Sequence, residues 1–242
     1  MPNAKDVTVE TEYLKVLVLG DSGTGKSIFA SSFPTPGYVY NFDKSMLSYR
    51  GLDFDYDEFD NSPEGWVKFE KVHKELYEKM TGDNPPYKTV IVDSTTTWSS
   101  LAMERALQLD PKRSPTKGPV WNVHYGMVRN LVEGRLRQML DFKSNLVVIG
   151  HLQVKEDQET GAIMVVPMLT GQLAVTAPGL FDEVYYTRTK KGAHGLEWLI
   201  QTVAIGRGRG RSRLSGKGRI LPDEMPNDYA EIVKILSKEV KR

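Results

Sequence analysis

Eight consecutive residues, Gly20 to Ser27, read G-D-S-G-T-G-K-S and fill the phosphate-binding loop pattern G-x-x-x-x-G-K-[ST] at every position. Glycines let successive backbone N–H groups face a polyphosphate, and the helix N-terminus that follows adds partial positive charge. Lys26 is placed to reach the outer phosphates, and the Ser27 hydroxyl is placed to ligate Mg²⁺. The pattern predicts nucleoside triphosphate binding by Gly20, Asp21, Ser22, Gly23, Thr24, Gly25, Lys26, Ser27 and Ile28.

A carboxylate on a later strand is expected to complete this site. Residues 89–93 read T-V-I-V-D, an apolar run that ends in Asp93. In phosphate-loop proteins an Asp at the end of such a strand lies beside the loop and holds Mg²⁺ directly or through water. We therefore expect Ser27 and Asp93 to form the metal site, with Lys26 and Asp93 as catalytic residues.

The elements that must position these residues alternate along the chain. Apolar runs predict strands at residues 13–19, 38–43, 88–93, 145–150, 181–189 and 197–204. Amphipathic spacing and cap signals predict helices from residue 27 and at residues 62–80, 98–109, 123–142 and 228–240. Apolar strands alternating with helices indicate an α/β fold, a mostly parallel sheet with helices on both faces. We expect one domain over residues 13–242, after an N-terminal extension of residues 1–12.

Composition narrows the class of protein. The chain has 242 residues, of which 40% are hydrophobic and 26% charged, as in globular proteins. It has no cysteine, so disulfides and thiolate metal sites are excluded, and its four histidines lack metal-ligand spacing. No apolar run is long enough to cross a membrane, and residues 1–6 have no apolar signal core. These features predict a cytoplasmic protein without a membrane partner.

The net charge is +1, but the chain contains one strongly acidic and one strongly basic segment. Residues 53–64 carry six acids and no base, and we interpret them as a solvated loop. Residues 206–219 carry Arg207, Arg209, Arg211, Arg213, Lys217 and Arg219 with no acid. That basic density predicts a phosphate-rich partner.

The segment V-D-S-T-T-T-W-S-S-L at residues 92–101 resembles the V-D-S-x-x-x-L segment of RecA-like recombinase cores. Residues 146–152 resemble the strand of those cores that ends in a polar sensor side chain, here His151. The length and the segment at residues 178–184 are most similar to minimal phage-encoded RecA-core ATPases, which include single-strand annealing recombinases. The resemblance implies a RecA-like P-loop NTPase fold, ATP and Mg²⁺ as ligands, and a host-cell cytoplasmic location. It also implies single-stranded DNA, a single-strand binding protein and further copies of the chain, in a ring or filament, as partners.

One departure from that family concerns the catalytic water. Recombinase cores carry a Glu after their second strand, whereas this chain has N-F-D-K-S at residues 41–45, with Asp43 as the local carboxylate. Asp43 either orients the attacking water or caps a turn. The departure puts fast hydrolysis in doubt and leaves nucleotide binding unaffected.

Two basic segments are candidate DNA contacts. The run G-R-G-R-G-R-S-R at residues 206–213 is a DNA-backbone contact, an arginine finger reaching a neighbouring subunit, or a solvated loop. The resemblance favours a finger at Arg211 or Arg213. Residues 110–121 and 154–172 fall where the family has its two DNA-binding loops, although residues 155–162 are acidic. Trp121 and Tyr125 follow the first loop, where they either stack on nucleic-acid bases or face the core, and we expect both to face the core.

Three functions are compatible with these features. The first is a RecA-like ATPase acting on single-stranded DNA in phage-type recombination or replication. The second is a nucleotide-gated DNA-binding or annealing protein with little hydrolysis. The third is a small-molecule kinase, with residues 206–219 as an arginine-rich lid. A GTPase is disfavoured because the chain has no N-K-x-D guanine-recognition pattern.

Overall fold

The central sheet is built from strands whose residues are almost entirely apolar. We describe a computed structural model that covers residues 13–156, 161, 163–192, 195–205, 208–214 and 220–239. The predicted extension at residues 1–12 lies outside this range. The strands are β1 (Lys15–Leu19), β2 (Gly37–Asn41), β3 (Phe54–Glu58), β4 (Thr89–Asp93), β5 (Asn145–Gly150), β6 (Leu152–Glu156), β7 (Ile163–Pro167), β8 (Glu183–Gly192), β9 (Gly195–Gln201), β10 (Ala204–Ile205), β11 (Gly208–Arg209), β12 (Arg211–Ser212) and β13 (Glu224–Pro226).

The helices alternate with these strands. They are α1 (Lys26–Ser31), α2 (Pro63–Thr81), α3 (Thr95–Leu109), α4 (Gly126–Leu140), α5 (Leu173–Thr176) and α6 (Tyr229–Glu239). Ser62 caps α2 by accepting a hydrogen bond from the Gly65 amide at 3.1 Å, with Pro63 in the first turn. Helix α3 begins at Thr95, three residues before the predicted start, and none of the described helices is long and apolar enough to cross a membrane.

Within the described residues, nine strands form one sheet in the order β13-β9-β8-β1-β5-β4-β2-β3, with β12 beside the start of β8. The pairs β8/β1, β1/β5, β5/β4, β4/β2 and β2/β3 are parallel. The pairs of β9 with β8 and β13, and of β12 with β8, are antiparallel. The predicted α/β fold with a mostly parallel sheet is confirmed.

Alternate residues of the parallel strands face two separate cores, as strand geometry requires. On one face Leu17 and Val92 pack with aromatic residues of α2 and α3, such as Trp66 and Trp98. On the other face Val18 packs with residues of α1 and α6. Helices therefore cover both faces, and the carboxyl ends of β1, β4 and β5 stay open at one edge, where α/β proteins bind ligands.

The expectation of a loop over the acidic residues 53–64 is wrong for part of that segment. Residues 54–58 form the edge strand β3, paired in parallel with β2. Its acids find partners: Asp55 accepts a hydrogen bond from the Tyr87 hydroxyl at 2.6 Å, and Asp57 accepts one from Tyr38 at 2.9 Å. A charged strand is suited to a sheet edge, because exposed carboxylates discourage further strand pairing.

The segment between α3 and α5 also differs from expectation. Residues 110–120 contain no helix or strand, as predicted, and a π-helical turn at Trp121–Tyr125 precedes α4. Trp121 is 66% exposed, so the prediction that it faces the core is wrong. In place of a second long loop, β6 and β7 form an antiparallel hairpin, and residues 157–160 and 162 of that acidic segment lie outside the described residues.

Candidate nucleotide-binding site

The phosphate loop joins the end of β1 to the start of α1, as the sequence predicts. Gly25 caps α1 with φ of 87°, a left-handed conformation that glycine adopts without strain. A Cβ at Gly20 would lie 2.1 Å from Thr187 Oγ1 of β8, so the loop approaches its neighbouring strand too closely for any side chain at that position. The glycines are therefore required for both the loop conformation and its contact with the sheet.

Lys26 is buried, with 7% of its surface exposed. Its ammonium donates hydrogen bonds to the Gly20 carbonyl at 3.0 Å and to the Asp21 carbonyl at 2.7 Å. Burial lowers the pKa of Lys26, and neighbouring carboxylates, Asp93 first, oppose that shift. The ammonium thus lies across the loop, where the phosphates of a bound nucleotide would meet it.

Ser27 and Asp93 are in direct contact, as expected for a metal site. Ser27 Oγ donates a hydrogen bond to Asp93 Oδ2 at 2.9 Å, and the Tyr49 hydroxyl donates to the same oxygen at 2.8 Å. Burial raises the pKa of Asp93, while the bonds from Tyr49 and Ser27 act in the opposite direction. A hydroxyl and a carboxylate are oxygen ligands of the kind Mg²⁺ prefers, so the donor set fits that ion. The described residues contain no cluster of three or more His, Cys, Asp or Glu that could hold a metal unaided.

A cavity of about 360 Å³ lies over the loop and brings most of the predicted site residues together. Asp43 and His151 reach it from the ends of β2 and β5. Its lining consists of Ser22, Gly23, Gly25, Lys26, Ser27, Ile28, Asp43, Ser48, Asp93, Ile149, His151 and Trp198. The sheet register explains the convergence: Leu19 pairs with Gly150, and Asn41 pairs with Asp93, so these strands end level with one another.

Asp43 also contacts the start of α3. Its Oδ1 accepts hydrogen bonds from Ser94 Oγ at 3.1 Å and from Thr97 Oγ1. A carboxylate at a helix N-terminus is favourable, so Asp43 stabilises the start of α3 through these two hydroxyls and also lines the cavity. Across the cavity, burial and the Lys26 charge lower the pKa of His151, which favours its neutral form.

The chain was compared with protein families, curated proteins and solved structures. A family model described as AAA domain matches residues 12–214. The chain belongs to this AAA domain family. Among solved structures, a KaiC-like protein from the archaeon Pyrococcus horikoshii OT3 is similar, at 12% identity and a TM-score of 0.44, over 83% of this chain and 82% of the other. The comparison with curated proteins gives no match. Family membership supports the expected P-loop ATPase core of the RecA-like type.

Two predicted residues of this AAA domain lie away from the cavity. Arg211 Nη2 donates to the carbonyls of Pro178 at 2.9 Å and Phe181 at 2.6 Å, and Arg213 pairs with Asp182 at 2.8 Å. Arg211 pairs in β12 with the start of β8, at the sheet edge opposite the phosphate loop. Neither arginine reaches the nucleotide site of its own chain, and a role toward a neighbouring subunit stays a prediction. Arg207, Lys217 and Arg219 lie outside the described residues, as does the Arg209 side chain.

Several residues of the AAA domain's site carry no motif and were not predicted. Tyr49 lies in a 3₁₀ turn after β2. Thr187 of β8 forms a hydrogen bond with Thr24 of the loop, with 2.7 Å between their hydroxyl oxygens. Trp198 of β9 lines the cavity, and Asn227 donates from Nδ2 to the Gly25 carbonyl at 2.8 Å. Trp198 lies in a late antiparallel strand and Asn227 directly follows another, β13, and only the folded sheet brings them to the loop.

Proposed function

We propose that this AAA domain is a Mg²⁺-dependent ATPase that acts on single-stranded DNA in phage-type recombination or replication. The observation that carries the proposal is the contact of Ser27 with Asp93 beside a buried Lys26, within one cavity. This arrangement matches what phosphoryl transfer requires, a cation-lined cradle and two oxygen ligands for a metal ion.

Lys26 would exchange its two carbonyl contacts for the β- and γ-phosphate oxygens of ATP. Ser27 and Asp93 would hold Mg²⁺, which when bound neutralises charge that develops on the phosphates. Positioning and electrostatic stabilisation, rather than covalent chemistry by the protein, account for most of the rate enhancement in such sites.

Asp43 and His151 are the polar groups that face the nucleotide from the far side of the cavity. Asp43 uses Oδ1 for Ser94 and Thr97, and no described residue bonds its Oδ2. That oxygen is available to orient a water molecule toward the γ-phosphate, a role in which position matters more than basicity. His151, as a neutral imidazole, is suited to contact the γ-phosphate and so distinguish a triphosphate from a diphosphate.

A second, larger cavity supports the single-stranded DNA part of the proposal. It has a volume of about 770 Å³ and lies between α3, the π-helical turn and the β6–β7 hairpin. Trp121 lies exposed on its wall, with its ring centroid 4.3 Å from that of Tyr125, and Lys155 lies at the cavity. Three exposed basic residues precede Trp121 in the chain, namely Lys112, Arg113 and Lys117. Aromatic platforms beside basic residues are typical of single-strand binding, since bases stack while cations follow the backbone.

A third cavity, of about 420 Å³, lies between these two and would connect DNA to the nucleotide. Thr96 of α3 lines both the large cavity and this third one, and the third one shares Asp43 and His151 with the nucleotide cavity. The next residue, Thr97, bonds Asp43 directly. Movement of α3 on DNA binding would therefore change the contacts of Asp43 at the nucleotide site.

The decisive experiment measures ATP turnover with and without oligo-dT, using Lys26→Ala as the nucleotide-site control. We expect DNA to stimulate turnover, and DNA binding to weaken with salt at a log–log slope of about −0.7 per phosphate neutralised. Trp121→Ala should lower DNA affinity roughly tenfold or more by loss of stacking. Tyr56→Ala, which removes an exposed aromatic from edge strand β3, should leave it unchanged.

Other outcomes would support the competing functions. Binding of ATP and DNA without turnover would favour a nucleotide-gated annealing protein. Turnover that requires a small-molecule acceptor would favour a kinase. Turnover that ignores DNA, with no DNA binding at low salt, would refute the DNA part of the proposal and leave the ATPase part standing.

A further inference from the structure

Helix α1, which carries Lys26 and Ser27, is only six residues long. A helix of this length is not stable by itself, so contacts with the rest of the fold must set its position. Some of these contacts come from a late segment that leaves β13 and continues into α6. Phe29 of α1 and Ile232 of α6 are fully buried and belong to the same core. This late segment therefore helps to place the helix that would meet the phosphates.

The start of α1 is bonded to Asn227, which directly follows β13. Asn227 Nδ2 donates to the Gly25 carbonyl at 2.8 Å, and the Phe29 amide donates to the same oxygen at 2.9 Å. The backbone of Asn227 is itself held by β9, because its N–H donates to the Trp198 carbonyl at 3.1 Å. Asn227 is 8% exposed and is not part of the lining of the nucleotide cavity, so its effect on a ligand must pass through Gly25.

The Gly25 carbonyl belongs to the peptide unit that joins Gly25 to Lys26. A peptide unit is planar and trans, so fixing this carbonyl also fixes the Lys26 N–H, which points the opposite way. The first N–H groups of a helix have no partner within it and are free to donate to a phosphate. Gly25 has no side chain to restrict this peptide unit, and the bond from Asn227 supplies the restraint.

The other end of α1 is held by Tyr229. Its backbone N–H donates to Ser32 Oγ at 2.9 Å, and its ring centroid lies 4.4 Å from that of Phe33. Ser32 directly follows α1, and its hydroxyl donates to the Phe29 carbonyl at 2.7 Å. Asn227 and Tyr229 are close neighbours in the sequence, so one short segment contacts both ends of the helix.

We propose that residues 227–229 clamp α1, and that Asn227 is a positioning residue for phosphate binding. The clamp holds the Gly25–Lys26 peptide unit in its binding orientation, so less conformational freedom is lost when a ligand binds. Because the contact concerns the loop alone, its effect is the same for ATP and for inorganic tripolyphosphate. The inference rests on the proposed function, in that the loop must bind a triphosphate.

The first test measures Asn227→Ala by calorimetry with ATP and with tripolyphosphate, both in the presence of Mg²⁺. Loss of the hydrogen bond to Gly25 should weaken the binding of both ligands by about fivefold to tenfold. The KM for ATP should rise by a similar factor while kcat stays within about twofold, because the contact serves the ground state and the transition state alike.

Three results would overturn the positioning role. Unchanged affinities would do so directly. A lower apparent kcat at an unchanged KM would indicate only a loss of folded protein. A loss confined to ATP would show that Asn227 acts on the base side of the ligand.

Thr202→Val is the matched control. Thr202 is fully buried, and its hydroxyl donates to the Pro222 carbonyl at 2.6 Å, away from the lining of the nucleotide cavity. This variant also loses one buried hydrogen bond, so its free energy of unfolding should fall comparably while both affinities stay unchanged. Similar losses of affinity in Asn227→Ala and Thr202→Val would attribute the effect to general destabilisation and overturn the proposal.

Tyr229 offers an independent pair of variants. Tyr229→Phe keeps the ring on Phe33 and should leave both affinities unchanged. Tyr229→Ala removes the ring and should weaken ATP and tripolyphosphate binding equally, by about threefold or more. If Asn227→Ala does not fold, this pair decides, and equal affinities in the two Tyr229 variants would overturn the clamp.

Hydrogen exchange in the ligand-free protein separates the clamp from the proposed function. In Asn227→Ala the amides of residues 26–31 should exchange about fivefold faster than in Thr202→Val, while those of β1 and β5 should exchange alike in the two variants. Equal exchange of α1 in both variants would overturn the clamp. If the wild-type protein binds no triphosphate and the expected exchange pattern is still found, the proposed function fails and the clamp stands.

Discussion

The hydroxyl of Tyr49 donates a hydrogen bond to Asp93 Oδ2 at 2.8 Å, and Ser27 donates to that same oxygen. Tyr49 is 3% exposed, and burial, together with the Asp93 charge, raises the pKa of Tyr49 well above its usual range. It therefore remains protonated and donates at every physiological pH. Two donors thus fix one oxygen of the metal-side carboxylate.

From this contact we predict that Tyr49→Phe raises the Mg²⁺ concentration needed for half-maximal ATP binding and turnover several-fold. The ring keeps its packing, and loss of the bond should lower the free energy of unfolding by about 1–2 kcal/mol. Tyr38→Phe, which removes a hydroxyl bonded to Asp57 away from the cavity, is the matched control. An unchanged Mg²⁺ dependence would assign Tyr49 to packing alone.

The sequence predicts the local part of this site and misses the part built by tertiary contacts. Gly20 to Ser27 and Asp93 carry signals in consecutive residues, and strand register brings them together as expected. Tyr49 and Trp198 lie in segments without a motif, and their roles depend on how a 3₁₀ turn and a late antiparallel strand approach the loop.

The fold shows the same division. Continuous apolar runs predict the parallel strands, because strands buried on both faces need apolar residues throughout. The sequence does not predict strand β3, because its alternating acidic residues are typical of a solvent-exposed loop. In the structure the strand is stabilised by its pairing with β2 and by hydrogen bonds from the hydroxyls of Tyr38 and Tyr87. Local composition does not reveal such partners.

A second prediction separates the two carboxylates of the site. Asp93→Asn should abolish most Mg²⁺-dependent turnover, because it removes the charge beside the metal. Asp43→Asn should lower turnover with little loss of ATP affinity. Asn keeps an acceptor oxygen at Oδ1, so the hydrogen bonds from the Ser94 and Thr97 hydroxyls should persist and stability should change little. Single-turnover measurement gives the rate, and a parental rate in Asp43→Asn would show that Asp43 is a cap alone.

A third prediction concerns acid stability and the buried His73. Its ring accepts from the Tyr40 hydroxyl at Nδ1 and donates from Nε2 to Gln138, both at 3.0 Å. Burial lowers the pKa of His73 to about 4, with the nearby Arg135 also lowering it and Glu70 opposing. In the unfolded chain His73 therefore binds a proton with a pKa near 6.5, whereas in the folded chain it binds one only when the pH falls to about 4.

Stability from neutral His73 is thus fully present above pH 6.5 and is lost as the pH falls toward 4. We expect a decrease of about 2–3 kcal/mol over this range in the free energy of unfolding, measured by urea denaturation. His73→Gln keeps hydrogen-bonding groups and does not titrate, so its pH dependence should be shallower by that amount. Parallel curves for the two proteins would contradict the prediction.

The fourth prediction concerns Arg211 and Arg213, which have different contacts within the chain. Arg211 bonds two backbone carbonyls, whereas Arg213 pairs with Asp182 at the surface, where its side chain is 65% exposed. Arg211→Ala should therefore lower the free energy of unfolding by about 1–2 kcal/mol. Arg213→Ala should lower it by less than about 1 kcal/mol, since exposed ion pairs contribute little.

Arg213 is consequently the arginine better able to reach a neighbouring subunit. If it acts across a subunit boundary, Arg213→Ala and Lys26→Ala each remove a different half of a shared site. Mixed assemblies of the two variants should contain some intact interfaces and regain part of the ATP turnover that each lacks alone. Sedimentation at the assay concentration establishes the assembly state. A monomer, or no recovery on mixing, would return Arg213 to a surface ion pair or a DNA contact, and a salt-dependent loss of oligo-dT affinity in Arg213→Ala would identify the latter.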